Sequence, residues 1–200
     1  AGTQRDDATD WDDCARKSLA AWNTALAPTT LQFTARLGSA RPPLAFDGRN
    51  SVAFTPDVFG LPFGPSLLSV TQTVATIRPG LHNTIEADVF VNHAAPFNCY
   101  RGAIPTPPVY DLQRTLSHAL GHVVGLGHPD PARTVGPVMM DAHPGAVDTL
   151  QPPDIQGGLL VAGTAVTGLP FPPRNETLTF YESLETTYRD TLLRAQTSPG

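Results

Sequence analysis

The feature that most constrains this chain is a set of three histidines with a glycine between the second and the third. His118 and His122 are four residues apart, so on a helix they lie on one face, about 5–6 Å from each other. Gly125 can adopt a backbone conformation that other residues avoid and so turn the chain out of the helix, which brings His128 round. Three neutral imidazoles leave one tetrahedral position of Zn²⁺ open for water, which is typical of a catalytic rather than a structural site. The pattern predicts one zinc ion held by these three histidines.

Composition limits the classes of protein to which the chain can belong. It has 200 residues, of which 40 % are hydrophobic, so it is long enough to bury a core without relying on disulfides. Its 13 basic residues are scattered and its formal net charge is −5, whereas proteins that bind nucleic acids need clustered Lys and Arg. The longest weakly apolar stretch, residues 157–169, is too short and too rich in glycine to span a bilayer. We expect no nucleic-acid partner and no membrane span.

Periodicity predicts helices and strands in an order that is typical of an α+β domain. Helices are predicted over residues 11–26 and 109–124, and another begins at Pro153. Four segments have the alternating or β-branched side chains of strands: residues 31–37, 51–54, 67–76 and 84–91. A proline-rich linker is predicted over 168–174, and residues 175–197 could form a separate amphipathic helix. We therefore expect a domain over 1–167 and an extension over 168–200.

With these elements in place, the histidine motif resembles that of the metzincin clan of zinc endopeptidases, which is His-Glu-x-x-His-x-x-Gly-x-x-His. All three ligand positions and Gly125 match. The clan also carries a methionine in a tight turn below the zinc, the Met-turn, and Met139 in Gly136-Pro-Val-Met-Met-Asp-Ala takes that position. Within the clan the chain resembles the bacterial form of the matrixins, the matrix-metalloproteinase-like family, over most of residues 11–163.

Other stretches share this likeness to the matrixins: Ala21-Trp-Asn23, Asp47–Phe54, Leu68–Thr71, Glu86–Asn92 and Thr149–Gly157. The resemblance implies a twisted five-stranded mixed sheet with long helices. A small C-terminal subdomain, containing the Met-turn and a terminal helix, would lie below the sheet, and the substrate cleft would run between the two.

The resemblance also implies roles for individual residues near the cleft. Leu68, Ser69 and Val70 would belong to the edge strand that pairs with an extended substrate, because free N–H and C=O groups can bind any peptide backbone. The pocket for the side chain that follows the cleaved bond would lie between the zinc helix and the segment just after Met139. Asp154 matches a carboxylate that hydrogen-bonds under the Met-turn and would support the site from behind.

One residue departs from the motif at the position that the chemistry needs. The residue after His118 should be Glu, and it is Ala119. In the family that carboxylate is the general base, which takes a proton from zinc-bound water and delivers it to the leaving amine. A methyl group cannot carry protons, so we expect the chain to bind zinc and peptides without hydrolysing them appreciably. Either an engineered Glu→Ala change or a natural pseudoprotease, acting as a peptide-binding module, explains this position.

The resemblance as a whole implies a secreted bacterial zinc endopeptidase that cuts internal peptide bonds of proteins or peptides. We expect it to be a monomer with one catalytic zinc. Calcium is a further candidate cofactor, and the oxygen-bearing residues that could bind it are Asp47, Asn50 and Asp88.

The two cysteines, Cys14 and Cys99, admit two interpretations. They could form a disulfide that closes an 85-residue loop, which would suit a secreted enzyme and stabilise it by about 4–5 kcal/mol on the chain-entropy model. Alternatively one of them could be a latency thiol that occupies the zinc, as in matrixin prodomains. Cys14 lies in a predicted helix without a Pro-Arg-Cys-Gly context, which favours the disulfide.

Overall fold

The computed structural model describes residues 11–36, 43–78, 81–130, 132, 136–142 and 145–163. The predicted boundary between residues 167 and 168 and the predicted helix over 175–197 lie outside these ranges.

The described residues form a mixed α+β fold with a small mixed sheet and three helices. None of these helices is long and apolar enough to cross a membrane. The helices are α1 (Trp11–Ala25), α2 (Leu112–Val124) and α3 (Pro152–Val161). The strands are β1 (Ser51–Thr55), β2 (Asp57–Val58), β3 (Leu61–Pro62), β4 (Ser69–Arg78), β5 (Leu81–Asn92), β6 (Phe97–Asn98) and β7 (Tyr110–Asp111).

The main sheet has three strands in the order β1-β5-β4, so β4 lies at one end of it. β5 runs parallel to β1 and antiparallel to β4. Two short pairs, β2 with β3 and β6 with β7, complete the described strands. The resemblance implied a sheet of five strands, whereas the main sheet among the described residues has three.

The strand predicted over residues 31–37 is wrong for residues 31–36, which form no strand. Leu31 and Phe33 do pack against the core, as their alternation with polar residues suggested. However, the side chain of Asn23 in α1 takes the place of a neighbouring strand at Phe33. Its Oδ1 accepts the Phe33 N–H at 2.6 Å, and its Nδ2 donates to the Phe33 carbonyl at 2.8 Å. A side chain therefore satisfies the backbone groups that the alternation had assigned to a sheet.

The core lies between the sheet and α2 and continues between α1, α2 and α3. One cluster joins Val89 and Val91 of β5 to Leu112 and Leu116 of α2. A second cluster is centred on Trp22 of α1, which is fully buried and packs with residues of α2. The Trp22 indole N–H donates to the Ser117 carbonyl at 2.7 Å, which satisfies its only polar group.

A disulfide joins Cys14 in α1 to Cys99, the residue after β6, across 85 positions of sequence. Both cysteines are buried in the cluster that packs against α2. Of the two interpretations of these cysteines, the structure agrees with the disulfide, and neither cysteine is a free thiol.

Candidate metal centre

The ends of α2 are fixed by a carboxylate at one terminus and a glycine at the other. Asp111 precedes the helix, and its carboxylate accepts the N–H groups of Gln113 and Arg114. The helix was predicted from residue 109, but it begins after Asp111 because residues 110–111 pair with β6. At the other end Gly125 has a φ of 118°, a conformation that favours glycine, and its N–H donates to the Gly121 and His122 carbonyls.

The turn at Gly125 brings His128 to the two histidines of α2. The Nε2 atom of His118 lies 3.0 Å from His122 Nε2 and 3.0 Å from His128 Nε2. Within the described part of the chain, these residues are the only group of three or more His, Cys, Asp or Glu whose ligand atoms converge within 4.8 Å. The three histidines thus lie close enough to bind a metal ion, and their donor set is compatible with zinc.

Two of the imidazoles are oriented by backbone carbonyls behind them. The Nδ1–H group of His118 donates to the Met139 carbonyl at 2.8 Å, and that of His122 donates to the Leu126 carbonyl at 2.7 Å. A proton on Nδ1 leaves the lone pair on Nε2, which faces the other rings, so each ring is held in the tautomer that a metal requires.

Burial keeps the same two rings neutral. It lowers the pKa of His118, against smaller opposing effects from the Met139 carbonyl and from Asp154 and Asp141. It lowers the pKa of His122 to about 3, helped by the neighbouring His118. Since a metal ligand must be unprotonated, these two imidazoles are ready to bind at neutral pH.

The floor below the histidines is a turn that is tied to α3 by one carboxylate. Met139 is fully buried, and Asp154 in the first turn of α3 is 4 % exposed. The Asp154 carboxylate accepts the N–H groups of Met139 at 2.9 Å, Met140 at 3.1 Å and Gln151 at 2.8 Å. Because the Met139 carbonyl accepts from His118, the chain of contacts runs from Asp154 through the turn to a candidate ligand.

Met140 has a packing role that the sequence did not reveal. A Cβ atom at Gly121 in α2 would overlap the Met140 thioether and would lie 3.1 Å from the Trp22 ring. Gly121 therefore allows the turn and α1 to approach the helix between its two histidines. The pattern indicated a methionine floor, but it could not show that a helical glycine makes room for it.

Ala119 offers no polar side chain at the position beside His118. It is 1 % exposed and belongs to the apolar cluster that contains Cys14 and Leu116. Its carbonyl accepts the Thr71 hydroxyl of β4 at 3.2 Å, so this residue lies where the helix meets the sheet.

The residues expected to bind a peptide backbone lie at the start of β4. Leu68 precedes the strand, and Ser69 and Val70 are its first two residues. Because β4 ends the sheet, its outer backbone groups have no strand partner among the described residues. The Thr71–Ala119 contact shows that β4 packs against α2, the helix that carries the histidines.

Of the residues named for calcium, Asp88 in β5 points away from α2, because side chains alternate along a strand and its neighbour Val89 packs with α2. Asp47 and Asn50 lie in the loop before β1. Asn50 Oδ1 accepts the Ala87 N–H at 2.8 Å, and Asp47 Oδ1 accepts the Arg49 N–H at 2.9 Å. Asp88 is 1 % exposed and one of its oxygens has no hydrogen-bond partner. Burial raises the pKa of Asp88, and the neighbouring Glu86 and Asp47 raise it further. Two of these side chains thus serve the backbone, and calcium binding stays a prediction.

No protein-family model matches this chain, and no curated protein matches it significantly. The histidine cluster and its surroundings are therefore the basis for any inference about function.

Proposed function

We propose that this chain is the catalytic domain of a zinc endopeptidase of the metzincin clan, of the matrixin type, with Ala119 in place of its general base. The observation that carries the proposal is the convergence of three Nε2 atoms, 3.0 Å apart in two pairs, above a buried methionine turn whose carbonyl orients His118. This arrangement of candidate ligands, helix, glycine turn and methionine is the one that the metzincin motif implies. The Cys14–Cys99 disulfide supports a secreted protein, since disulfides persist in oxidising compartments.

The residues present fit a zinc ion. Tetrahedral Zn–N bonds of 2.0–2.1 Å set the nitrogen atoms about 3.3 Å apart, and the observed 3.0 Å separations lie within a few tenths of an ångström of this value. His118, His122 and His128 would hold the ion, which when bound would polarise a peptide carbonyl and activate a water molecule. Three ligands leave an open position, which suits catalysis better than a purely structural role.

The remaining roles belong to the chain itself. The carbonyls of Met139 and Leu126 hold two of the imidazoles in the tautomer that presents Nε2. The outer edge of β4, beginning at Ser69 and Val70, would pair with an extended peptide and lay it across α2. Ala119 cannot accept or return a proton, so we infer that peptide binding survives in this chain and hydrolysis does not.

A specific observation favours the alternative, a natural zinc-binding pseudoprotease that acts as a peptide-binding module. Ala119 fits the apolar cluster beside Cys14 and Leu116 with almost no exposed surface. A glutamate at this position would have to extend its carboxylate out of this cluster toward the histidines. If the surroundings of residue 119 are adapted to alanine, restoring the carboxylate will not restore the chemistry.

The decisive experiment is Ala119→Glu, with Ala119→Gln as the matched control that has the same shape and no base. We expect both variants to bind one equivalent of zinc. Only Ala119→Glu should cleave casein, with a gain of about 10²–10⁴-fold over the control, the usual contribution of a general base.

Two outcomes would count against the endopeptidase. A folded Ala119→Glu protein with full zinc content and no cleavage of casein would leave the pseudoprotease as the better interpretation. A protein that takes up far less than one equivalent of zinc would overturn the metal site itself.

A further inference from the structure

A buried arginine lies one helical turn before the first candidate ligand. Arg114 precedes His118 by four residues in α2, so the two share a face of the helix. Arg114 is 5 % exposed, and its guanidinium donates to the Gly145 carbonyl at 2.7 Å and to the Gly102 carbonyl. It therefore joins two loops that are 43 residues apart in sequence to the helix of the histidines.

Both partners of this arginine are glycines with positive φ. Gly102 has a φ of 94° and Gly145 a φ of 59°, the region that glycine adopts without strain. Asp148 closes the arrangement, because its carboxylate accepts the Gly102 N–H at 3.0 Å. We call these four residues, Arg114, Gly102, Gly145 and Asp148, the loop clamp.

The loop clamp makes hydrogen bonds to the segment that follows the methionine turn. Asp154 fixes the segment at both ends, through the N–H groups of Met139 and Gln151. Between these ends, Arg114 holds Gly145 and the Gly102 N–H binds Asp148. The segment is thus fixed near its middle against the same helix that presents His118.

A buried guanidinium is a costly way to fill space. Removing a charge from water is unfavourable unless hydrogen bonds compensate it, and Arg114 Nε is buried without a partner. An apolar side chain would fill the space without that penalty. The cation is better explained by what its hydrogen bonds to two glycine carbonyls specify, namely the course of the two loops.

We propose that Arg114 is a positioning residue that holds residues 145–148 as a fixed wall against α2, one helical turn before His118, and so determines which peptide side chains the proposed site accepts. The proposal rests on the proposed function for its peptide ligand. The clamp itself does not depend on zinc or on activity, so the two can be tested separately.

The first test is hydrogen exchange on Arg114→Met, with Arg114→Lys as the variant that keeps the charge and Arg16→Met as the control at an exposed arginine. We expect the Gly102 amide to exchange on the order of tenfold faster in Arg114→Met, because the loop that presents it to Asp148 is released. Arg114→Lys should recover part of this protection. The amides of His118 and His122 should be unchanged in all three variants.

The second test measures binding to the zinc-loaded protein. Acetohydroxamate can reach only the metal, whereas a peptide hydroxamate with a leucine side chain must also contact the wall. Arg114→Met should weaken the binding of the peptide hydroxamate by about tenfold. Its affinity for acetohydroxamate should change by less than twofold. Equally weakened binding of both hydroxamates, or unchanged hydrogen exchange at the Gly102 amide, would overturn this proposal.

Two further comparisons keep the test decisive. If Arg114→Met does not fold, Asp148→Ala should produce the same loss of protection at Gly102, and Asp148→Asn, which keeps an acceptor oxygen, should not. If Gly102 exchanges faster as expected while the parent protein binds neither hydroxamate, the clamp stands and the proposed function fails.

Discussion

Two regions of the molecule bury polar side chains, and they do so in different ways. The first is the floor under the histidines, where Asp154 accepts three backbone N–H groups and the floor's own carbonyl, at Met139, orients His118, a candidate ligand. The second is the outer face of the sheet, which points away from α2 and carries Glu86 and Asp88 of β5. Both regions hold nearly inaccessible carboxylates, but only the first connects them to converging ligand atoms.

The outer face uses its polar atoms less completely. Glu86 does bind the N–H groups of Phe46 and Gly48, which anchors the loop before β1. However, one oxygen of Asp88 is buried without a partner, and so is the Gln72 amide oxygen opposite it in β4. Asp154 uses both of its oxygens to hold the floor in one geometry, whereas the face that anchors a loop leaves two side-chain oxygens buried and unpaired.

The largest expected effect on the free energy of unfolding is that of zinc binding. At free zinc 1,000-fold above the dissociation constant, we expect the free energy of unfolding to rise by about 4 kcal/mol, measured by denaturant unfolding with and without zinc. His122→Ala should abolish most of this gain. Stabilisation by calcium that persists in His122→Ala would indicate a second metal site, for which Asp47, Asn50 and Asp88 are the predicted residues.

The second effect comes from removing the carboxylate under the turn. Asp154→Ala leaves two buried N–H groups and one partly buried N–H group without an acceptor, and we expect a loss of about 3 kcal/mol in the free energy of unfolding. Zinc affinity should fall by about 10–100-fold, because His118 loses its fixed carbonyl.

The matched control for Asp154→Ala is Glu86→Ala on the outer face, which frees two N–H groups. It should also destabilise the protein and leave zinc affinity unchanged, as measured by competition with a chromophoric chelator. Equal losses of zinc affinity in both variants would remove the distinction between the two regions.

A smaller effect is expected at Gly121, where helix and turn are in contact. Alanine normally stabilises a helix relative to glycine, but here its Cβ overlaps Met140 and crowds Trp22. We expect Gly121→Ala to cost about 2 kcal/mol by overpacking. Gly157→Ala in α3 is the control, since its Cβ would meet only the flexible end of Leu126, and it should be neutral or slightly stabilising in thermal unfolding.

Much of the candidate site followed from local rules of the sequence. The spacing of His118 and His122 with Gly125 between them and His128 requires only helical geometry and the conformational freedom of glycine. α1, β1, β4 and β5 were likewise predicted to within a few residues, because apolar periodicity reports burial directly.

What the sequence could not predict depends on contacts between distant segments. The alternation over residues 31–37 correctly indicated the buried positions, but Asn23 replaced the sheet partner at Phe33. Arg114 looked like one more scattered basic residue, since nothing local shows that two glycine carbonyls, at 102 and 145, will meet it. Its position on the histidine face of α2, four residues before His118, was the only signal available.

The last prediction concerns pH and tests whether the folded protein disfavours the ionised form of Asp88 on the outer face. Burial, and then Glu86 and Asp47, hold its pKa above the ordinary value of 3.8 in the folded protein, although a bond from Ser51 opposes them. As pH rises above 3.8, the unfolded chain loses this proton first, so the contribution of Asp88 to stability falls until the folded pKa is passed.

Asp88→Asn stays neutral at every pH and removes this contribution. The difference in unfolding free energy, native protein minus Asp88→Asn, should therefore decrease as the pH rises from 4, and then level off. The histidines and the other carboxylates are common to both proteins, so they largely cancel in the difference. A difference that increases with pH would show that the folded protein stabilises ionised Asp88, and the outer face would then resemble the fully paired floor at Asp154.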